Sequence, residues 1–293
     1  MPKQGGGRLS GAAPDARPAP PVTVTTIDAF ADRPFSGNPA AVCVLDRPAR
    51  DAWMQALAAE MNLSETAFVT PGGAGATAPF GLRWFTPTVE VDLCGHATLA
   101  AAHLLYESGR LGADDEAWFD TRSGRLTVRQ TRAGRYALDF PATPPEAAAP
   151  PDGFAEALGA EPVWAGRSRF DWFAVLESEA AVRALDPSAA DVAALGLRGV
   201  IATARAASDG VDVVSRFFAP NAGVVEDPVT GSAHCAIGPY WAGALGTDRL
   251  ACYQASARGG AVDVRVRGDR VVLEGGAVTV YRAELAPSAH PAP

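Results

Sequence analysis

The sequence predicts an α+β protein built from two pseudo-symmetric halves, and three observations carry that prediction. At 293 residues the chain exceeds a usual single domain and fits two modest ones of roughly 100 to 150 residues each. Apolar residues recur at period two in some segments and at helical spacing in others, so strands and helices are mixed along the chain. One grammar is also written twice. "FTPTVEVDLCGHATLAAAHLL" (85–105) and "FAPNAGVVEDPVTGSAHCAIG" (218–238) both run from Phe, one residue and Pro through a Val-rich stretch to an acid, a glycine and an apolar helix.

The elements follow in order. Residues 1–21 hold mainly Gly, Pro and Ala without an apolar period and read as a disordered tail. "PVTVTTIDAF" alternates like a strand, "ADRPFSGNP" carries turn formers, and "AAVCVL" reads as the second strand of a hairpin. "RDAWMQALAAEMN" has helical spacing, with Trp53, Leu57 and Met61 on one face and Asn62 placed as a C-cap. "LSETAFVTP" and "FGLRWFTP" return to strand. After the loop "TVEVDLCG", the helix "HATLAAAHLLYESG" is stopped by Gly109; it is apolar nearly all round, which predicts burial. The same kinds of element return from "GRLTVRQTRAGRYALDFP" onward, through the strand "VDVVSRFF" to a helix from Ser232. Pro239 there predicts a kink or a fresh start at Gly238-Pro239. Two-period strands, "VDVRVRGDRVVLEGGAVTVYRAEL", close the chain before a frayed "APSAHPAP". The expected domains span 22–128 and 129–276, with the seam near 123–134. The last strand, about 277–285, is free to return to the first domain, and 286–293 is a tail.

Composition narrows the function. A formal charge of −8 and scattered arginines disfavour nucleic acid. There is no signal-type apolar segment and no run of the ~18 apolar residues a membrane span needs. A cytoplasmic protein acting on small molecules is expected. The four cysteines, Cys43, Cys94, Cys235 and Cys252, are too dispersed for a disulfide framework and read as reduced thiols.

The candidate chemistry lies at the two helix starts. "CGHAT" and "TGSAH" each set a glycine, Gly95 or Gly231, beside a helix N-terminus, where free N–H groups and the dipole attract an anion. If the halves face each other, both termini open on one cleft suited to a carboxylate; the plainer reading is capping by Ser232. Glu65 shares a strand face with Leu63, Ala67 and Val69. Turned inward, it would have a raised pKa suited to proton transfer; on an edge it would be an ordinary exposed acid. His96 and His103 lie two turns apart, roughly 10 Å, too far to share zinc without other ligands. His96 is therefore read as a hydrogen-bonding or acid–base group and His103 as a core or subdomain contact. Cys94 sits where a helix start lowers a thiol pKa, and its counterpart in the second half is Thr230. No metal and no organic cofactor is expected, since no ligand cluster or nucleotide-binding glycine fingerprint appears.

Four stretches, "IDAFADRPFSGNPAAVCVL", "NLSETAFV", "RWFTPTVEVDLCGHATLAAAHLL" and "FAPNAGVVEDPVTGSAHCAIGPYW", together resemble the PhzF family of phenazine-biosynthesis-like isomerases over about 23–285. The resemblance implies a diaminopimelate-epimerase-like fold, two similar domains each wrapping a sheet around a central helix, with the active site between them. It implies that Glu65 of the S-E-T motif shuttles a proton and that His96, Asp227 and Ser232 complete the catalytic set. Ser64, Gly95, Thr230, Gly231 and Asn38 are the matching substrate-binding positions. A homodimer and an isomerisation of a small carboxylate are further implications. Relatives with two cysteines are epimerases and racemases, whereas a cysteine–threonine pair also resembles hydroxyproline dehydratases. A dehydratase or epimerase of a cyclic amino acid using Cys94 is thus one alternative, and a catalytically silent metabolite-binding protein another.

Overall fold

A computed structural model describes residues 21–72, 78–132 and 134–291. The tail expected over 1–21 lies outside the described residues apart from Pro21. The chain begins with β1 (Thr23–Ala29), β2 (Asn38–Val44), α1 (Asp51–Met61), β3 (Glu65–Thr70), β4 (Phe80–Phe85), β5 (Glu90–Val91), α2 (Gly95–Glu107), β6 (Glu116–Thr121), β7 (Gly124–Arg132) and β8 (Arg135–Pro141). It continues with β9 (Glu146–Ala147), α3 (Phe154–Leu158), β10 (Trp164–Arg167), β11 (Trp172–Val175), α4 (Glu179–Arg183), α5 (Ala189–Ala194), β12 (Val200–Arg205) and β13 (Val213–Phe218). The last elements are α6 (Gly231–Leu245), β14 (Arg249–Gln254), β15 (Gly260–Arg267) and β16 (Arg270–Glu284).

Pairing runs β1-β2-β3-β4-β6-β7-β8-β16-β15-β14-β13-β12-β11-β10-β9, with β5 against β4. Because β1 also pairs β16, the first eight strands of this path close into a ring, while the rest form an open sheet ending at β9. The ring wraps α2, whose residues His96 to Tyr106 are all buried and which packs on β1, β2, β3, β7, β8 and β16. An all-apolar helix needs such a surround, since every face must find apolar contact. In the second half α6 packs on β14, β15 and β16. The expected pair of sheet-wrapped helices is therefore what forms.

One strand serves both halves. Residues 270–276 of β16 pair with β8, 263–267 of β15 pair with its start, and 277–284 pair with β1. A Cβ at Gly275 would lie 2.3 Å from the Phe30 ring, so the crossing point requires glycine. Residues 124–132, where the seam was expected, are strand β7, paired on both sides by β6 and β8. Those residues are therefore sheet rather than linker.

Local signals behave as physics dictates, with two corrections. Asn62 caps α1 at φ 49°, its N–H donating to the Ala58 carbonyl. The break expected at Pro239 does not occur: α6 runs unbroken through it. The carbonyl that Pro239 cannot serve, that of Cys235, instead accepts the backbone N–H of Thr143 at 2.9 Å. Nor do residues 287–289 fray; they form a 3-10 turn in which the Ala289 carbonyl accepts the Trp53 indole N–H at 2.8 Å. All four cysteines are free and buried, and no helix among the described residues is long and apolar enough to cross a membrane.

Leu99 is fully buried within the ring. Leu99→Ala should lower unfolding free energy by about 2–5 kcal/mol, read from the denaturant midpoint at unchanged slope.

Candidate active site

The site begins where α2 and α6 meet. A Cβ built on Gly95 would lie 3.7 Å from the Cα of Gly231, an ordinary van der Waals contact, so the two helices start against each other. The two starts repeat one arrangement. His96 and Ser232 are second in their helices; Thr98 and His234 are fourth, bonding back to the carbonyls of Cys94 (2.5 Å) and Thr230 (2.8 Å). The N-caps are Cys94 and Thr230, and neither side chain caps its helix. Capping by Ser232 is thereby set aside, and the positive ends of two dipoles are left at one place.

Glu65 reaches this place from β3, which lies between β2 and β4 and is not an edge. Ala67 and Val69 on its face join the core around α2, whereas Phe68 on the other face packs with Trp53 and Met54 of α1. The Glu65 side chain is 17% exposed. Burial, reinforced by the charge of Asp227 and opposed by a hydrogen bond with Cys94, pushes its pKa up to about 8. Its Oε2 lies 3.2 Å from His96 Nε2, yet neither atom completes a hydrogen bond, so both keep capacity for a third group.

His96 is buried, which drives its pKa down to about 3 and makes it a neutral imidazole. Its Nδ1 faces the Asn38 amide at 3.3 Å and the Cys94 thiol at 3.5 Å. A thiol hydrogen turned to Nδ1 would place the ring proton on Nε2, toward Glu65.

Asp227 comes from the loop before α6. Its Oδ1 accepts from Asn38 Nδ2 at 2.8 Å and its Oδ2 accepts the Thr230 hydroxyl. Burial raises its pKa to about 6 against the pull of those two bonds and of Arg198. Asn38 is fully buried and also donates to the Val229 carbonyl at 2.9 Å, so its amide hydrogens are spent on protein partners. Among the site residues named from sequence, Glu65, His96, Asp227, Asn38, Gly95, Thr230, Gly231 and Ser232 are brought together here; Ser64 is half-buried beside Glu65.

Three neighbours escape sequence reasoning. Gln254, at the end of β14, donates to the Asp227 carbonyl at 2.6 Å and accepts the Thr230 N–H at 2.9 Å, clamping the motif loop. Arg198 donates to Ser232 Oγ at 3.0 Å and is itself held by Asp171. A polar residue ending an apolar strand was the one available sign for Gln254; Arg198 and Asp171 lie in turns without a pattern.

The thiol expectation is overturned. Cys94 stands at a helix start, but its pKa is raised well above 9, by burial first and then by the nearby Glu65 and Asp227 carboxylates, which outweigh the bond from the Ala97 N–H. His103 is remote from the site, bonded to Tyr136 (2.9 Å) and Thr279 (3.0 Å) beside a cavity of about 260 Å³ toward the C-terminal end of α2. Glu65, Cys94 and His96 do offer a carboxylate oxygen, a sulfur and an imidazole nitrogen within 4.8 Å of one another, a donor set that zinc accepts.

The model of phenazine biosynthesis-like proteins matches residues 27–283. The chain is 50% identical to an uncharacterized isomerase of Pseudomonas aeruginosa, covering 90% of this chain and 98% of the relative. It is 46% identical to an uncharacterized isomerase of Halalkalibacterium halodurans, covering 89% and 97%. Among solved structures it is similar to a phenazine biosynthesis protein of the PhzF family from Enterococcus faecalis, with a TM-score of 0.85 and 41% identity over 91% of this chain and 99% of that one.

A buried acid of raised pKa costs stability once the unfolded chain can ionise. Glu65 is protonated in both states below its ordinary 4.5; between 4.5 and about 8 only the unfolded state loses the proton, so stability falls as pH rises. Relative to Glu65→Gln, the wild type should therefore lose thermal stability progressively from pH 4.5 to pH 8 and hold a constant difference above it, as read in paired melting curves.

Proposed function

The chain belongs to the phenazine biosynthesis-like (PhzF) family and is an isomerase of that type; from that premise we propose that it moves a proton within a small carboxylate-bearing metabolite by general acid–base catalysis, without a cofactor. The observation that carries this reading is the pair of carboxylates, Glu65 and Asp227, set at the joined helix starts with pKa values near 8 and 6. Two acids pushed apart in this way can hold different protonation states at neutral pH.

In this reading the substrate carboxylate lies against the N–H groups at Gly95, His96, Gly231 and Ser232, where both dipoles favour negative charge. Glu65, in its ionised form, takes a proton from a substrate carbon. The electron pair left behind shifts through the adjacent unsaturated system, and the protonated Glu65 returns the same proton to a second carbon. Bonds to hydrogen are thus conserved in number and the composition of the substrate is unchanged. A pKa near 8 suits both halves of the step, since neither form is scarce near neutrality. Neutral His96 donates from Nε2 and steadies charge that develops on the substrate. Asp227, ionised above about pH 6 and held by Thr230 and Asn38, orients the substrate from the opposite half. Ser64 lies beside Glu65 as a substrate contact, whereas Asn38 is better described as the pin that positions Asp227.

Two observations weigh against chemistry through Cys94. Its thiol is buried and held in the neutral form, and its counterpart Thr230 already donates to Asp227. A silent receptor would have no use for a carboxylate carried to about 8 at the cost of stability. A cytoplasmic homodimer belongs to the same proposal.

With a cognate substrate, Glu65→Gln should fold and bind but lose about 100-fold to 10,000-fold in kcat. Cys94→Ala should change kcat far less. Product formed in heavy water should have the composition of substrate, apart from deuterium exchanged at carbon; a product lighter by one water would establish a dehydratase instead.

The kcat/KM of the free enzyme should rise with pH from about 6 toward 8, as Asp227 and then Glu65 ionise. Prolonged dialysis against a strong chelator should leave turnover intact. Loss of activity that added zinc restores would show that the Glu65, Cys94 and His96 donors hold a working metal.

A further inference from the structure

Ser232 stands at the second position of α6, and its hydroxyl oxygen has one protein hydrogen bond among the described residues, from Arg198 Nη2 at 3.0 Å. A guanidinium offers donors alone, so in this contact Ser232 Oγ must accept. A serine hydroxyl has a single hydrogen. With its oxygen engaged by Arg198, that hydrogen is left to point away from the guanidinium, and no protein acceptor among the described residues takes it.

Arg198 is built to stay where it is. It lies in the turn between α5 and β12 and grips Asp171 at two points, Nε to Oδ1 at 2.8 Å and Nη2 to Oδ2 at 2.5 Å. Asp171 is 1% exposed and is ordered by Ser168, whose hydroxyl accepts the Asp171 N–H at 3.1 Å. The guanidinium also lies over the Phe217 ring at 5.0 Å and the Phe170 ring at 5.4 Å. Its planar fork is thereby oriented by a carboxylate and two aromatic faces, and Nη2 divides its two hydrogens between Asp171 and Ser232.

We propose that Arg198, anchored by Asp171, is a positioning residue that turns the Ser232 hydroxyl into a hydrogen-bond donor aimed at the substrate carboxylate. This rests on the reading that the carboxylate binds at the helix starts. The serine of a helix N-terminus would otherwise be free to rotate or to bond backward to a carbonyl of the preceding turn. Arg198 narrows that choice to rotations that turn the hydrogen away from the guanidinium. A second consequence favours an anion: the hydroxyl hydrogen adds a donor to the N–H groups, and the guanidinium beside it disfavours a cation.

The test is a double-mutant cycle on binding of benzoate, a simple ring carboxylate, followed by calorimetric titration. Ser232→Ala should weaken benzoate, and Arg198→Gln should weaken it by roughly 3- to 10-fold, the worth of one oriented hydrogen bond. In the Ser232→Ala background Arg198→Gln should cost nothing further, because its effect runs through that hydroxyl. Arg198→Lys should not restore affinity, since an ammonium cannot reproduce the fork. Equal loss from Arg198→Gln in both backgrounds would overturn the inference alone, showing that the arginine acts by charge. Failure of benzoate to bind, or binding indifferent to Ser232→Ala, would overturn the carboxylate reading and this inference with it. Arg198→Gln leaves Asp171 as a buried unpaired charge, so if it fails to fold, the Asp171→Asn/Arg198→Gln pair takes its place in the cycle.

Discussion

Everything at the site follows from two helices beginning against each other. The Cα of Gly231 lies 3.7 Å from where a Cβ on Gly95 would stand, so the two helix starts are in van der Waals contact and both N-termini come to one point. The cost is the apposition of two positive dipole ends, which an anion relieves. The surrounding architecture holds the arrangement in place. A closed ring of strands fixes α2, the second sheet fixes α6, and β16 runs through both. Asn38 then ties β2 to the loop before α6, donating to Asp227 and to the Val229 carbonyl.

Desolvation, more than direct charge pairing, sets the protonation states. Burial is the largest influence on Glu65, Cys94, His96 and Asp227 alike. It favours the neutral form of each, so it raises the acids and lowers the histidine. What separates Asp227 from Glu65 is hydrogen bonding. Asp227 accepts from Thr230 and Asn38, which favour its ionised form, whereas Glu65 Oε2 has no completed bond and feels the charge of Asp227 besides. A helix start could have lowered the Cys94 pKa, but with the thiol buried and two carboxylates close by the dipole loses.

Much of this was legible in the chain. The duplicated grammar around Gly95 and Gly231, the all-apolar helices and the inward row of Glu65, Ala67 and Val69 are properties of neighbours in sequence, and each reappears in the fold. Gln254, Arg198 and Asp171 were not legible. Each acts on a partner 24 to 34 residues away through a single turn or strand end, and no period marks such a position.

By itself the sequence determined that two apolar helices, each led by a glycine, had to be enclosed by strands, because a helix apolar nearly all round has no face to give to water and that pattern is local to the segment. Tertiary structure alone decided which groups meet. It set Asn38 against Asp227 across 189 residues, made the ring close through β1 and β16, and let Thr143 serve the carbonyl that Pro239 abandons. The physical reason is that hydrogen-bond partners and the dielectric around a charge depend on what packs nearby, and packing joins segments whose separation along the chain carries no periodic trace.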